Sequence, residues 1–383
     1  MSFLRRLRSR LGPVLQSDRA FIETAYERIL GRPVDPAGLD HYLAAFRQGM
    51  GRIDLLLQLV QSDELTSRLA RAARAQEGPR ALRPDRYREL VDRTNGFVIP
   101  VFEAESTADF DWLETRILED GYYEKPGVWN LEIDLDKRVI AEIVASFSPA
   151  RALELGCAAG AVIEGLADYG IEAEGVDISL MALDRAPARI RKRLHHGDLL
   201  SLDFSEPYDL LFGLDIFEHL NPNRLDAYIA RMAQIATPDA RVFCNIPAFG
   251  KDQVFGTVFP YYIDGWETDA AAGRPFRRLH VDRLGYPLHG HLTWADARWW
   301  VERFEAAGFV REPDIEHALH AKYDWYMGRM TPARLAYFVF AKKPSAGDRA
   351  TIIDRIAAEP SHPLAAIRKQ HDDAGGWELD VAR

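Results

Sequence analysis

The chain has 383 residues, 47% apolar and 28% charged, which is an ordinary globular composition with length for two or three domains. A net charge of −10 argues against a general nucleic-acid binder, because neutralising phosphates needs a basic face. The only cysteines, Cys157 and Cys244, fall in apolar runs. They offer neither a disulfide framework nor a zinc cluster, which points to a reducing, cytoplasmic compartment.

At the N-terminus, residues 1–16 set Arg5, Arg6, Arg8 and Arg10 among Leu4, Leu7 and Leu11. The segment lacks the unbroken apolar core of a secretory signal. It reads as a solvated helix end, or as a short amphipathic contact with anionic lipid at the inner membrane surface. No apolar run approaches the ~20 residues that span a bilayer. Residues 17–75 read as helices. Phe21, Ala25, Ile29 and Leu30 share a face that Gly31 and Pro33 end. Asp35 before Pro36 starts the next helix, with Leu39, Tyr42, Leu43 and Phe46 as its stripe. Ile53, Leu56, Leu57 and Val60 form a third stripe, and Ser62-Asp-Glu opens a fourth helix. The stretches AYERILGRPVDPAGLDHYLAAF and LLLQLVQSDEL resemble a bacterial helical domain of unknown function, related to the phycobilisome-linker type. That resemblance implies a binding or positioning module of a kind found beside carbohydrate-related enzymes. No residue in it suggests chemistry, and plain packing is the alternative.

Residues 76–86 are polar with Gly78, Pro79 and Pro84 and read as a linker, which starts a second domain at residue 87. A mixed segment follows to about residue 130. From residue 137 onward helical and strand patterns alternate, the mark of a parallel α/β sheet. The expected fold is therefore a small all-α domain followed by a doubly wound α/β domain over residues 87–344. Residues 345–383 form a polar tail with one short helical pattern at Ile352–Ile356.

Ala152–Leu155 reads as a short strand, and Gly156 to Gly160 as a tight turn that opens a helix. Small residues there let the backbone approach a ligand, and a helix N-terminus supplies free N–H groups. The following strand ends at Asp177, whose carboxylate suits two ribose hydroxyls. A dinucleotide or S-adenosylmethionine would fit such a site. Ala158 and Ala161 match the dinucleotide fingerprint poorly. Glu154-x-Gly156-x-x-x-Gly160 instead resembles the first motif of class I S-adenosylmethionine-dependent methyltransferases, with Ala158 in place of the usual middle glycine. His196-Gly-Asp198 resembles their third-strand motif, and Tyr208 to Leu220, with Asp215, Glu218 and His219, their fourth. Arg241–Pro247, Gly290–Trp294 with the helix after it, and Leu335–Lys343 resemble the rest, in order. The resemblance implies a Rossmann-like seven-stranded sheet with its last strand antiparallel. It also implies S-adenosyl-L-methionine bound by Glu154, Gly156, Cys157, Ala158, Gly160, Asp177, Ile178, Asp198, Leu199 and Asp215. Taken singly, the glycines could serve packing, Asp177 a helix cap and Asp198 an ordinary turn.

Methyl transfer needs alignment and exclusion of water, and a hydroxyl acceptor also needs a proton acceptor. His219 and His291 are the catalytic candidates, with His289 behind them; the alternative for either is a hydrogen-bonded structural histidine. Asp215-x-x-Glu218-His219 further resembles the divalent-metal pattern of ubiquinone-type O-methyltransferases, although the first carboxylate here is the shorter Asp. Residues 249–291 are too long for an ordinary connection and read as a lid. This lid carries Phe255, Phe259, Tyr261, Tyr262, Trp266, Phe276 and Tyr286, with Asp264 and Glu267. A second aromatic insertion, at Tyr323, Trp325 and Tyr326, is expected to overhang the same end of the sheet. Aromatic faces beside carboxylates suit a sugar or glycan, and equally a quinone, lipid or other small molecule. The aromatics could instead form the lid's own core. The remaining alternative is a non-catalytic Rossmann-type binding protein or a dehydrogenase.

Overall fold

The computed structural model describes residues 17–62, 64–65, 83–91, 96–125, 135–259 and 266–358, with residues 365 and 369. Outside them lie the basic segment 1–16, most of the expected linker, Asp63 of the expected fourth helix, and Tyr261, Tyr262 and Asp264 of the lid. Three helices come first: α1 (Asp18–Ala25), which runs into a π turn at Tyr26–Leu30, α2 (Pro36–Arg47) and α3 (Arg52–Val60). Asp35 caps α2 by accepting the Gly38 N–H at 2.7 Å, with Pro36 opening the helix. Ile22, Tyr26, Leu30, Leu39, Leu55 and Leu59 form their core.

The chain then forms β1 (Tyr87–Val91), β2 (Val98–Glu103), α4 (Thr107–Glu119), a short turn at Tyr122–Glu124 and α5 (Leu135–Ser146). The α/β pattern follows as β3 (Ala152–Leu155), α6 (Ala161–Leu166), β4 (Ala173–Asp177), α7 (Leu180–Leu183), β5 (Leu194–His196), β6 (Tyr208–Leu214), α8 (Leu225–Ile235) and β7 (Ala236–Asn245). Next come β8 (Ala248–Phe249), α9 (Trp266–Ala271), β9 (Arg278–His280), β10 (Ala295–Asp296), α10 (Ala297–Ala306), β11 (Val310–Arg311), α11 (Pro313–Met330), β12 (Tyr337–Ala341) and α12 (Ala346–Ala357).

Seven strands make the main sheet in the order β11-β12-β7-β6-β3-β4-β5. Its β5-β4-β3-β6-β7 part is parallel, while β12 runs antiparallel to both of its neighbours. Helices cover both faces, so the strands are apolar on both sides, and β3 and β12 are buried throughout. Val139, Ile143, Ile163 and Phe243 belong to one core layer. Leu153, Leu211, Ile229, Trp300 and Phe304 belong to the other. The expected Rossmann-like, doubly wound sheet is thus the observed one. Strand order reverses between β3 and β6, and in open α/β sheets the ligand crevice opens at that point, beyond the carboxyl ends of the strands.

A second, three-stranded sheet pairs β1 with β2 and β2 with β9, so that Phe102 stands opposite Leu279. It draws the segment after residue 83 together with the long connection after β8. Tyr87, Phe102, Phe110, Leu113, Leu279 and Tyr286 fill the core between this sheet and α4. Most described lid aromatics are spent on packing. Phe276 and Trp266 pack on Phe249, Phe255 packs on Phe338, and the Tyr286 hydroxyl donates to Asp120 at 2.6 Å. The second insertion does not overhang the sheet. It is the helix α11, which buries Ile315, Leu319, Tyr323 and Tyr326 on one stripe against the main core, with the Tyr323 hydroxyl donating to Glu142 at 2.9 Å. Its aromatics occur at helical spacing and face the sheet. Among the described residues no helix is long and apolar enough to cross a membrane.

Candidate functional site

A cleft of about 670 Å³ opens where the strand order reverses, beyond the ends of β3, β4, β5 and β6. Its floor is the turn after β3, where Gly156, Ala158 and Gly160 all have positive φ (67°, 47° and 73°). Gly156 needs its missing side chain twice over. Its φ is left-handed, and a Cβ there would stand 2.8 Å from Ile216 Cδ1. The turn is held by Asp177 at the end of β4, which accepts the Ala158 N–H and the Ser179 N–H, each at 2.7 Å. Each carboxylate oxygen keeps a lone pair for a further donor. Burial pushes the Asp177 carboxyl up, and its two N–H donors oppose that rise. Glu154 lies beneath, buried, with Oε2 lacking a partner among the described residues; burial and the nearby Asp177 charge push its carboxyl well up.

Of the residues expected to bind cofactor, Glu154, Gly156, Cys157, Ala158, Asp177, Ile178, Asp198, Leu199 and Asp215 line this cleft. Gly160 does not line it. Its place is under the turn, where a Cβ would meet Ile190 Cδ1 at 2.7 Å, so it acts in packing and in opening α6. Asp198 faces the cleft already engaged, since its carboxylate accepts from Arg224 and from the Tyr228 hydroxyl, both at 2.8 Å. Cys157 and Cys244 are buried free thiols.

His219 and His291 meet across the cleft with ring centroids 4.8 Å apart, and His289 stands 5.7 Å from His291. The approach depends on Gly290, whose φ is 81° and whose Cβ would lie 2.8 Å from the Tyr123 hydroxyl. Tyr123 bridges the site: its hydroxyl is 3.3 Å from His219 Nδ1 and 3.4 Å from the Gly290 carbonyl. Burial lowers His219 to about 4 and His291 well below its ordinary value, so both imidazoles are neutral near pH 7. Glu218 is 1% exposed, and burial pushes its carboxyl well up. Its Oε1 lies 3.8 Å from His291 Nε2, and neither of its carboxylate oxygens has a hydrogen-bond partner among the described residues.

The expected metal set of Asp215, Glu218 and His219 comes together only in part. Asp215 has a φ of 51°, and its carboxylate is bound to Arg334 at 3.2 Å. The third residue gathered with Glu218 and His219 is His291, with all ligand atoms within 4.8 Å of one another. Asp296 caps α10 by accepting the Trp299 N–H at 2.8 Å, and Asp264 lies outside the described residues.

Sequence reasoning missed the wall supplied by α4 and the turn after it: Glu114, Ile117, Leu118, Tyr122 and Tyr123. The pair Ser106-x-x-Asp109 and the stripe Phe110, Leu113, Ile117 are legible signs of the helix, but nothing local tells where it packs. The clasp holding it is made from distant parts. Glu124 accepts the Leu180 and Met181 N–H groups at 2.9 Å each, and Asp111 and Glu114 accept from the Asn221 amide at 2.8 and 2.9 Å.

Fold and cleft together define a Rossmann-like domain built to bind a nucleoside-bearing cofactor. Residues 133–312 match the family described as "Methyltransferase domain". Residues 9–69 match a domain of unknown function, DUF4214. Comparison with curated proteins gives no match. Among solved structures the chain is similar to S-adenosylmethionine-bound CalS10, an amino pentose methyltransferase from Micromonospora echinaspora. Identity is 19%, coverage 59% of this chain and 97% of that one, and the TM-score 0.37. It is also similar to DesVI from Streptomyces venezuelae (17% identity, 63% and 100% coverage, TM-score 0.37). A third is the N-methyltransferase NodS from Bradyrhizobium japonicum with S-adenosyl-l-homocysteine (15% identity, 62% and 98% coverage, TM-score 0.35).

Proposed function

We propose that the chain transfers the methyl group of S-adenosylmethionine to a hydroxyl of a sugar or glycan. The observation that carries this reading is one cleft shared by two devices: the Asp177-braced turn and the buried Glu218–His219–His291 cluster. Asp177 accepts ribose hydroxyls on the lone pairs its N–H donors leave free. In the reaction the acceptor oxygen forms a bond to the methyl carbon as the carbon–sulfur bond breaks. The electron pair stays on sulfur, giving S-adenosylhomocysteine, and the hydroxyl proton passes to the histidine cluster. His219 and His291 are its candidate acceptors, both neutral and both on the cleft wall.

For the acceptor, the faces of Tyr122 and Tyr123 beside the imidazole edges suit a sugar ring. The same faces would stack on a flat quinone or phenol, which is the second reading. The helical domain would position the enzyme near its acceptor.

The test uses the full chain with S-adenosylmethionine labelled at the methyl group, offered sugar nucleotides, oligosaccharides and phenols. Label is expected in a sugar-containing product. Label in phenols alone would select the second reading, and binding of a nicotinamide cofactor in place of S-adenosylmethionine would refute both.

A further inference from the structure

Glu218 presents a problem of its own. It is buried to 1% exposure, and neither carboxylate oxygen has a hydrogen-bond partner among the described residues. A buried polar group left unsatisfied is costly, and native folds keep few of them. His291 repeats the pattern, since its Nδ1 is also buried without a partner among the described residues. The arrangement is nonetheless built firmly. The Leu292 and Thr293 N–H groups both donate to the Glu218 carbonyl, at 2.8 and 2.9 Å, which fixes the His291 loop against the Glu218 turn. The Tyr123 hydroxyl at 3.3 Å from His219 Nδ1 orients the third side chain.

The Glu218–His291 separation of 3.8 Å is long for a hydrogen bond. It is close to the spacing of two ligands on one ion, which ~2.0–2.1 Å bonds in a tetrahedron set at roughly 3.4 Å. We propose that Glu218, His219 and His291 bind one divalent transition-metal ion, with the remaining coordination position open to the cleft. Two imidazoles and one carboxylate with an open position favour zinc. Asp215, occupied by Arg334, takes no part. Only the use of the ion rests on the methyltransferase reading: with it bound, the two imidazoles would be ligands in place of the proton-accepting role given them above, and the ion would lend Lewis acidity to an acceptor hydroxyl whose proton leaves to water in the cleft.

The full chain, stripped with chelator, is titrated with cobalt(II) and then zinc(II), and S-adenosylmethionine binding is measured on the same samples. One equivalent of cobalt is expected, with visible absorption of a low-coordinate nitrogen and oxygen site, displaced by one equivalent of zinc. Glu218→Gln and His291→Ala should each weaken zinc binding more than about 100-fold, because losing an outer partner alone costs 10–100-fold. Asp215→Asn should leave zinc binding unchanged. If either ligand variant fails to fold, zinc-edge X-ray absorption of the wild type decides, with two imidazoles and oxygen expected and sulfur or all-oxygen ligation refuting the site. S-adenosylmethionine binding with no bound metal overturns the metal site and spares the methyltransferase reading. One bound metal without S-adenosylmethionine binding does the reverse. Equal zinc affinity in wild type and both ligand variants also overturns the proposal.

Discussion

The two sides of the cleft are built in different ways. The side we propose for the methyl donor is local: the turn after β3, Asp177 at the end of β4 and the residues after β5 follow one another within about fifty positions, each fixed by its own strand. The side we propose for the acceptor is assembled from afar. Tyr123, Glu218, His219 and His291 come from three separate stretches, joined by the Gly290 approach and by the two N–H groups that bind the Glu218 carbonyl. A cofactor of constant shape can be held by local motifs. An acceptor that differs between enzymes is met by loops, which can vary without disturbing the sheet.

The difference makes the two sides separable by mutation. The largest effect is expected on the acceptor side. His219→Ala or His291→Ala should lower turnover by about 10²–10⁴-fold while S-adenosylmethionine affinity barely changes. Steady-state rates paired with calorimetry check this, and a parallel loss of cofactor affinity would join what appears separate in the fold. A smaller effect is expected from Tyr123→Phe. It removes one hydroxyl contact worth ~0.5–1.5 kcal/mol, or about two- to tenfold in turnover, again with cofactor affinity retained. The smallest concerns the helical domain. Deleting residues 1–80 should leave cofactor affinity unchanged, because α1–α3 carry their own core. An insoluble truncated chain, or one that no longer binds cofactor, would show that the donor side depends on that domain.

What could be read in the sequence follows the same division. The seven-stranded sheet and the donor turn were legible because strand, turn and helix signals are short-range. Gly156, Asp177 and Asp198, read from the sequence as cofactor-binding, line the cleft. The same reasoning placed Gly160 in the cleft, although its missing side chain serves packing against Ile190. On the acceptor side Glu218 and His219 were legible as neighbours in the chain. That His291 and not Asp215 lies with them was not, because the His291 loop is held there by Leu292 and Thr293 N–H groups on the Glu218 carbonyl, about seventy positions away in the chain, while Asp215 is bound to Arg334. The aromatic insertion at Tyr323 misled because aromatics at helical spacing look alike whether they face a ligand or a core. The wall from α4 was invisible for a related reason: β2 pairs with β9 across more than 170 positions, and no local pattern announces it.

The most direct measurement is calorimetric titration of S-adenosylmethionine into wild type, Asp177→Ala and His291→Ala. Asp177→Ala loses charge-assisted hydrogen bonds worth ~1.5–3 kcal/mol, so its affinity should fall about tenfold or more, while His291→Ala should match wild type. Equal affinity in wild type and Asp177→Ala would contradict the assignment of this cleft to the methyl donor.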